Sequence, residues 1–283
     1  MALKIITFAD NFVAVKRVQG CLNTFQDYHL LMKYTFEMCS SKSQGCDHPA
    51  PSHPRAACLL IHGFTGTPWA MQELAETLEA RQIYTSVPLL PGHGTSPDDL
   101  TEVKWEAWFA SVEKACHALS EMHLPVFVAG HSVGGALALL VAAKCSVKGV
   151  ITFSTPYKFA DKRLLFLPMI WPFVKAWKKS NSKKMPMEAG YDRYPLKAVW
   201  QCRKLLRVMR HCLKRIQCPV LLMHARQDYR IPVGNVYRLR RHLKSGTTQI
   251  ELLPHPAHTI MRGENGAAVS EIVLEFINRQ LAL

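Results

Sequence analysis

Ser132 stands in Gly130-His131-Ser132-Val133-Gly134, between the apolar run Val126–Ala129 and a segment of helical periodicity, Val133–Lys144. Glycines two residues to either side let a strand turn sharply into a helix, leaving the serine hydroxyl exposed at the strand's C-terminal end. Such a hydroxyl is a useful nucleophile only when a histidine takes its proton and an acid orients that histidine. In this architecture the acid comes first and the histidine second, each just past a later strand. Asp228 follows the apolar run Val220–Met223 and is the only acid between Asp192 and Glu251. His258 follows the run Gln249–Leu253, and His255 competes with it for the same role. Pro254 and Pro256 keep His255 near the strand end, whereas His258 sits on a longer loop, so His258 is the expected base. The chemistry implied is acyl transfer through a serine ester. It needs no metal and no cofactor.

A tetrahedral intermediate also needs preorganised donors for its oxyanion. The backbone N–H of Val133, at the start of the helix, is one candidate. The N–H of Phe64 is the other, in the glycine-containing loop His62-Gly63-Phe64-Thr65-Gly66 after the first apolar run, Ala57–Ile61.

These residues need a scaffold that brings strand ends together. From Ala56 onward, strand-length apolar runs (Ala57–Ile61, Tyr84–Leu89, Val126–Ala129, Gly149–Phe153, Val220–Met223, Gln249–Leu253) recur along the chain. Most are separated by 3.6-periodic segments: Trp69–Ala80, Trp105–Leu119, Val133–Lys144 and Val233–Leu243, with Ala267–Leu281 last. That alternation predicts an α/β fold, a mostly parallel sheet with helices on both faces. The stretch from Phe153 to Val220 is too long for one crossover. It predicts a small cap insertion over about 156–216, ending in an amphipathic helix from Leu196 to Ile216. Residues 1–55 show no strong period and read as an N-terminal extension and linker, with the α/β domain over 56–283.

The chain of 283 residues carries a net charge of +14. Its composition excludes a disordered or collagen-like chain. The charge is concentrated: Lys158 to Lys244 holds 22 lysines and arginines against four acids. Such a field attracts anionic membrane surfaces, nucleic acid or acidic ligands. Without a nucleic-acid module, specific nucleic-acid recognition is not expected. No apolar run reaches the ~18 residues that a membrane span requires. Lys4, Asp10 and Lys16 interrupt the N-terminal apolar stretches, arguing against a secretory signal. The expectation is a cytoplasmic protein with peripheral membrane contact at most. Nine cysteines without a CxxC pair fit reduced, buried thiols. Cys46, His48, His53 and Cys58 are metal-ligand types close together, but their spacing matches no standard zinc pattern and prolines intervene.

Beyond the triad, three segments carry a family resemblance: Leu59-Leu60-Ile61-His62-Gly63-Phe64-Thr65-Gly66-Thr67-Pro68, Pro88-Leu89-Leu90-Pro91-Gly92-His93-Gly94-Thr95-Ser96-Pro97 and Tyr194-Pro195-Leu196. With the GxSxG elbow, they make the chain resemble the α/β-hydrolase superfamily over about residues 56–281, in particular bacterial carboxylesterases and monoacylglycerol lipases with a small cap. The resemblance implies the nucleophile Ser132, the partners Asp228 and His258, and an oxyanion hole from Phe64 and Val133. It implies a small-molecule acyl ester as substrate, of short to medium chain length, monoacylglycerols among them. The apolar stretch containing Leu164, Leu167, Met169, Ile170 and Trp171 is then expected to line an acyl-chain pocket, with core packing as the competing reading. Two other readings stay open: thioester cleavage or acyl transfer by the same triad, and a hydrolase-fold protein serving mainly as a basic docking module. His93 is expected to brace its loop through hydrogen bonds.

Overall fold

A computed structural model describes residues 51–159, 161, 164, 166–179, 190–254 and 258–283. In chain order the first half builds β1 (Ala56–Ile61), α1 (Gln72–Glu79), β2 (Ile83–Ser86), α2 (Pro97–Glu102), α3 (Trp105–Ser120), β3 (Val126–His131), α4 (Val133–Ala142) and β4 (Gly149–Phe153). Then follow α5 (Leu167–Ile170), β5 (Ala176–Lys178), β6 (Arg193–Pro195), α6 (Leu196–Cys212), β7 (Val220–Ala225), α7 (Gly234–His242), β8 (Thr248–Leu253) and α8 (Gly266–Leu281). Six strands form one sheet in the order β2-β1-β3-β4-β7-β8, and every pairing in it is parallel. β5 and β6 pair antiparallel as a separate two-stranded ribbon, with Trp177 opposite Tyr194.

The two faces of the sheet sort by the two-residue period of a strand. Leu59, Ile61, Val128, Val150 and Leu222 point to one side, where they meet α3, α4 and the buried stripe of α6. Cys58, Leu60, Phe127, Ile151 and Leu221 point to the other, against α1 and α8. Parallel strands covered on both faces must be apolar throughout, and β1, β3, β4 and β7 are buried at every position. Helix α4 is likewise buried at all ten residues, because α3 and α6 cover the side that the sheet does not.

Several expected boundaries move, each for a local reason. The strand expected over Tyr84–Leu89 ends at Ser86, since Pro88 brings no N–H to continue a ladder. The helix expected to run to Ile216 leaves α geometry after Cys212 and closes with a 3-10 turn at Leu213–Arg215. Helix α2 was not anticipated, although Ser96 caps it by accepting from the N–H of Asp99 and Pro97 opens its first turn. The stripe of Val199, Cys202, Leu206, Met209, Leu213 and Ile216 is buried as its spacing implies. Of the residues weighed as metal ligands, Cys46 and His48 lie outside the described residues, and His53 is exposed. Cys58 is packed in the core on β1, where burial pushes its thiol up to about 12, which keeps it protonated.

The wholly enclosed α4 sets the orientation of the elbow that precedes it. Leu139→Ala, at a fully buried position, is expected to lower the unfolding free energy by about 2–5 kcal/mol in urea titrations. A loss well under 1 kcal/mol would contradict this packing.

Candidate active site

β3 ends at His131 and α4 begins at Val133, so Ser132 alone makes the turn, with φ 53° and ψ −116°. A left-handed φ on a residue with a side chain costs about 1–3 kcal/mol and persists only where its surroundings enforce it. Here the Ser132 N–H donates to the Phe153 carbonyl at 2.8 Å, and the Ser132 carbonyl accepts from Gly135 at 3.0 Å and Ala136 at 3.3 Å. Two glycines allow the close crossing. A Cβ on Gly130 would strike the carbonyl of Gly134, and one on Gly134 would strike the carbonyls of Ile61 and His62. The elbow is thereby wedged against the end of β1, where the His62–Gly66 loop starts.

β7 carries the chain to Asp228, whose carboxylate is buried and fully engaged. Its Oδ1 accepts from the N–H groups of Arg230 at 2.8 Å and Ile231 at 2.9 Å. Its Oδ2 accepts from Nδ1–H of His258 at 2.7 Å. Burial alone would raise the pKa of this acid, but the His258 ring and the two backbone donors outweigh it and hold the carboxyl below its ordinary value. With Nδ1–H committed to Asp228, His258 keeps its lone pair on Nε2. His224 steadies the same loop: its Nε2–H donates to the Ile231 carbonyl at 2.8 Å, and burial lowers its pKa.

His131, one residue before Ser132, reaches the other side of His258. Its Nε2–H donates to the His258 carbonyl at 3.1 Å, and the two rings lie 4.8 Å apart. Burial, then the neighbouring His258, depresses the His131 pKa well below 6.5. Its Nδ1 also comes so close to Gly63 that a side chain there would have to displace it. One imidazole therefore ties the serine elbow, the His258 loop and the loop after β1 together. The positioning role of His131 was not anticipated, because its partner is a backbone carbonyl 127 positions away and leaves no mark in local spacing.

The loop of Phe64 is fixed from both ends. Gly66 N–H closes the turn onto Gly63 at 3.0 Å, and the Thr65 carbonyl accepts from Tyr191 N–H at 2.9 Å. His62 donates from Nδ1 to the Gly63 carbonyl and accepts the Leu90 N–H on Nε2 at 3.1 Å, a pairing that requires a neutral ring. Burial takes its pKa down to about 4. His93 donates from Nδ1 to the Pro91 carbonyl at 3.2 Å and stacks on Tyr191, while burial, then His62, lowers its pKa to about 3. The Phe64 ring stacks on Tyr194 at 6.1 Å and 9° and adjoins Trp108 and His93. At the elbow, Val133 opens α4, where the first N–H groups have no acceptor within the helix and the helix dipole favours negative charge.

Ser132, Asp228, His258, Phe64 and Val133 are thus carried by the C-terminal ends of neighbouring strands and the loops that leave them. His255 lies outside the described residues. Of the residues expected to line an acyl pocket, Leu164 and Leu167 are buried and Ile170 and Trp171 half-buried, in an apolar cluster that also packs on Phe64 and Tyr194. Met169 is 71% exposed on the one-turn α5 and is not part of that cluster. Apolar composition alone could not tell which side of so short a helix would face inward. Among the described residues, no three His, Cys, Asp or Glu side chains are grouped so as to hold a metal ion.

Residues 52–265 match the family described as "Serine aminopeptidase, S33". The chain is 28% identical over 224 residues to a thermostable monoacylglycerol lipase of Bacillus sp., covering 77% of this chain and 88% of that protein. It is 22% identical to a carboxylesterase of Bacillus subtilis, covering 79% and 92%. Among solved structures, the monoacylglycerol lipase of Paleococcus ferrophilus superposes with a TM-score of 0.69 at 21% identity, covering 82% of this chain and 97% of that one. A structure from work on the metagenome-derived lipolytic enzymes LipS and LipT reaches 0.76 at 24% identity, covering 82% and 96%. At these identities the structural likeness establishes the α/β-hydrolase fold.

Buried imidazoles held neutral make the fold sensitive to acid. Each of His62, His93, His131 and His224 has a folded pKa below its unfolded value of 6.5. The unfolded chain therefore binds more protons below that pH. The stability they confer is complete above 6.5 and is lost as pH falls towards the folded values, at about 1.4 kcal/mol per pH unit for each ring that must charge. Urea titrations between pH 7.5 and 5 are expected to show a decline of several kcal/mol. A flat profile over that range would contradict the neutral, buried assignment.

Proposed function

The chain belongs to the family described as serine aminopeptidase, S33, within the α/β-hydrolases, and on that premise we propose that it is a serine carboxylesterase acting through an acyl-enzyme on Ser132. Ester hydrolysis by an esterase- or lipase-type α/β-hydrolase is the activity common to its relatives' names. The observation that carries the mechanism is the buried 2.7 Å bond from His258 to Asp228, on loops that meet beside the serine elbow.

In this reading the Ser132 hydroxyl adds to the acyl carbonyl while Nε2 of His258 takes its proton. Asp228 holds the ring in the Nδ1–H form and stabilises the imidazolium that results. The N–H groups of Phe64 and Val133 receive the developing oxyanion. Collapse of the tetrahedral intermediate expels the alcohol, which takes its proton from His258. Water then attacks the acyl-enzyme by the same route and releases the acid, restoring Ser132. The apolar cluster of Leu164, Leu167, Ile170 and Trp171 beside Phe64 receives the acyl chain. Short- to medium-chain esters, monoacylglycerols among them, are the proposed substrates, supported by the lipase named above. Peripheral contact with anionic lipid belongs to the same proposal. Phe166 and Phe173 are 58% and 87% exposed, close in the chain to the exposed Lys175 and Lys178. Among the described residues, no helix is long and apolar enough to cross a membrane.

The test is hydrolysis of p-nitrophenyl esters and monoacylglycerols across acyl length, with a thioester in the same panel. Ser132→Ala and His258→Ala are expected to abolish turnover, and Asp228→Asn to lower kcat by roughly 10⁴-fold. Activity that survives Ser132→Ala would overturn the mechanism. Thioester cleavage outpacing every oxygen ester would overturn the substrate class.

A further inference from the structure

A cavity of about 650 Å³ opens along α6 and shares no residue with the Ser132, Asp228, His258 and Phe64 constellation. That volume falls within the range of small-molecule sites. Trp200, Arg203, Lys204, Arg207 and Arg210 contribute to it from one helix at spacings of three, four and seven, which place them on one face. Phe159, Leu164, Leu206 and the Trp200 ring supply apolar wall. Lys158 adds a fifth cation, and Asp161 is the one acid among the described residues of the lining.

The arginines are positioned, with donors to spare. Arg203 donates Nη1–H to the Leu164 carbonyl and lies 4.9 Å over the Trp200 ring. Arg210 donates Nη1–H to the Tyr157 carbonyl at 3.0 Å and lies 5.5 Å over the Tyr157 ring. A guanidinium has five N–H donors, so each retains a fork that these bonds do not use. Arg207 is exposed at the mouth between them. Burial, then the nearby charge of Arg210, lowers the Arg203 pKa, so like charges crowd here. An arrangement of oriented cations against an apolar aromatic wall suits a ligand that is anionic at one end and hydrocarbon at the other. A bare phosphate would leave the apolar wall unused, and a neutral lipid would leave the cations unpaired.

We propose that this groove binds a single-chain anionic amphiphile, a fatty-acid-like carboxylate, with its head on Arg203, Arg207 and Arg210 and its chain along Trp200, Leu164 and Phe159. The site shares Leu164 with the apolar cluster proposed to receive the acyl chain, but none of its cations takes part in the ester chemistry. It adjoins the acyl cluster nonetheless: Leu164, Phe159 and Trp200 pack in the same apolar group as Phe64.

Calorimetric titration of the full chain with decanoate, below its micellar concentration, tests this. A saturable site that depends on Arg207 and Lys204 is expected for decanoate, with 1-decanol and inorganic phosphate each binding there at least ~10-fold more weakly, as the loss of a charge-assisted pair implies. Arg207→Glu combined with Lys204→Glu should weaken decanoate by ~10-fold or more, with the thermal melt by circular dichroism unchanged. Arg207→Gln alone should act in the same direction. Vesicles of phosphatidylcholine with phosphatidylglycerol form a separate arm. Unchanged decanoate affinity in these variants, or equal affinity for decanoate and decanol, would overturn the proposal. So would a loss confined to vesicle co-sedimentation, which would assign the cations to a membrane surface. Because binding is read without turnover, failure here and failure of the esterase mechanism are distinguishable.

Discussion

The backbone crossing at Gly130 and Gly134 is the constraint on which the rest depends. Here the first turn of α4 passes over the ends of β1 and β3 closely enough that neither position can carry a side chain. That contact forces Ser132 into the left-handed region, at a cost the surrounding core has to offset. The core is equipped to do so, because α4 is enclosed on every side and cannot rotate away without exposing its ten buried residues. The strained residue and the best-packed helix are adjacent in the chain. Rigidity in one makes the unusual geometry of the other possible.

Around this turn the protein gathers imidazoles and keeps four of them from charging. His62, His93, His131 and His224 are each hydrogen-bonded through a backbone group, which fixes their tautomers, and burial lowers their pKa values. They act as rigid, uncharged struts between loops. Asp228 is the exception, a buried carboxylate stabilised by two N–H donors and one imidazole. In a region of low dielectric, a single negative charge at Nδ1 of His258 exerts a stronger influence than it would in water. Histidine type alone therefore says little about chemistry in this chain. Which group faces Nδ1 says a great deal.

The sequence shows the framework where burial enforces a pattern and conceals it where contacts are long-range or elements are short. The strands ending at Ile61, His131, Phe153 and Ala225 are legible as apolar runs because covered parallel strands have no polar face. Ser132 is legible because an elbow needs glycines at fixed offsets. The ribbon of β5 and β6 is not, since three-residue strands carry too little alternation to register. Nor is the role of His131, whose neighbour in space comes from the far end of the chain. Met169 is the converse case, an apolar residue in an apolar stretch that is found exposed. The charge of α6 was visible as a count, but only the folded helix shows that Trp200, Arg203, Lys204, Arg207 and Arg210 share one groove.

The account requires that the Ser132 oxygen be chemically activated in the folded protein at neutral pH. Mapping the adduct of a fluorophosphonate probe by peptide mass spectrometry tests this directly, in the native chain and in Asp228→Asn. The expected result is a single modification on Ser132, formed rapidly in the native protein and strongly slowed by the substitution. Folded protein that stays unmodified, or that is labelled at another residue, would contradict it.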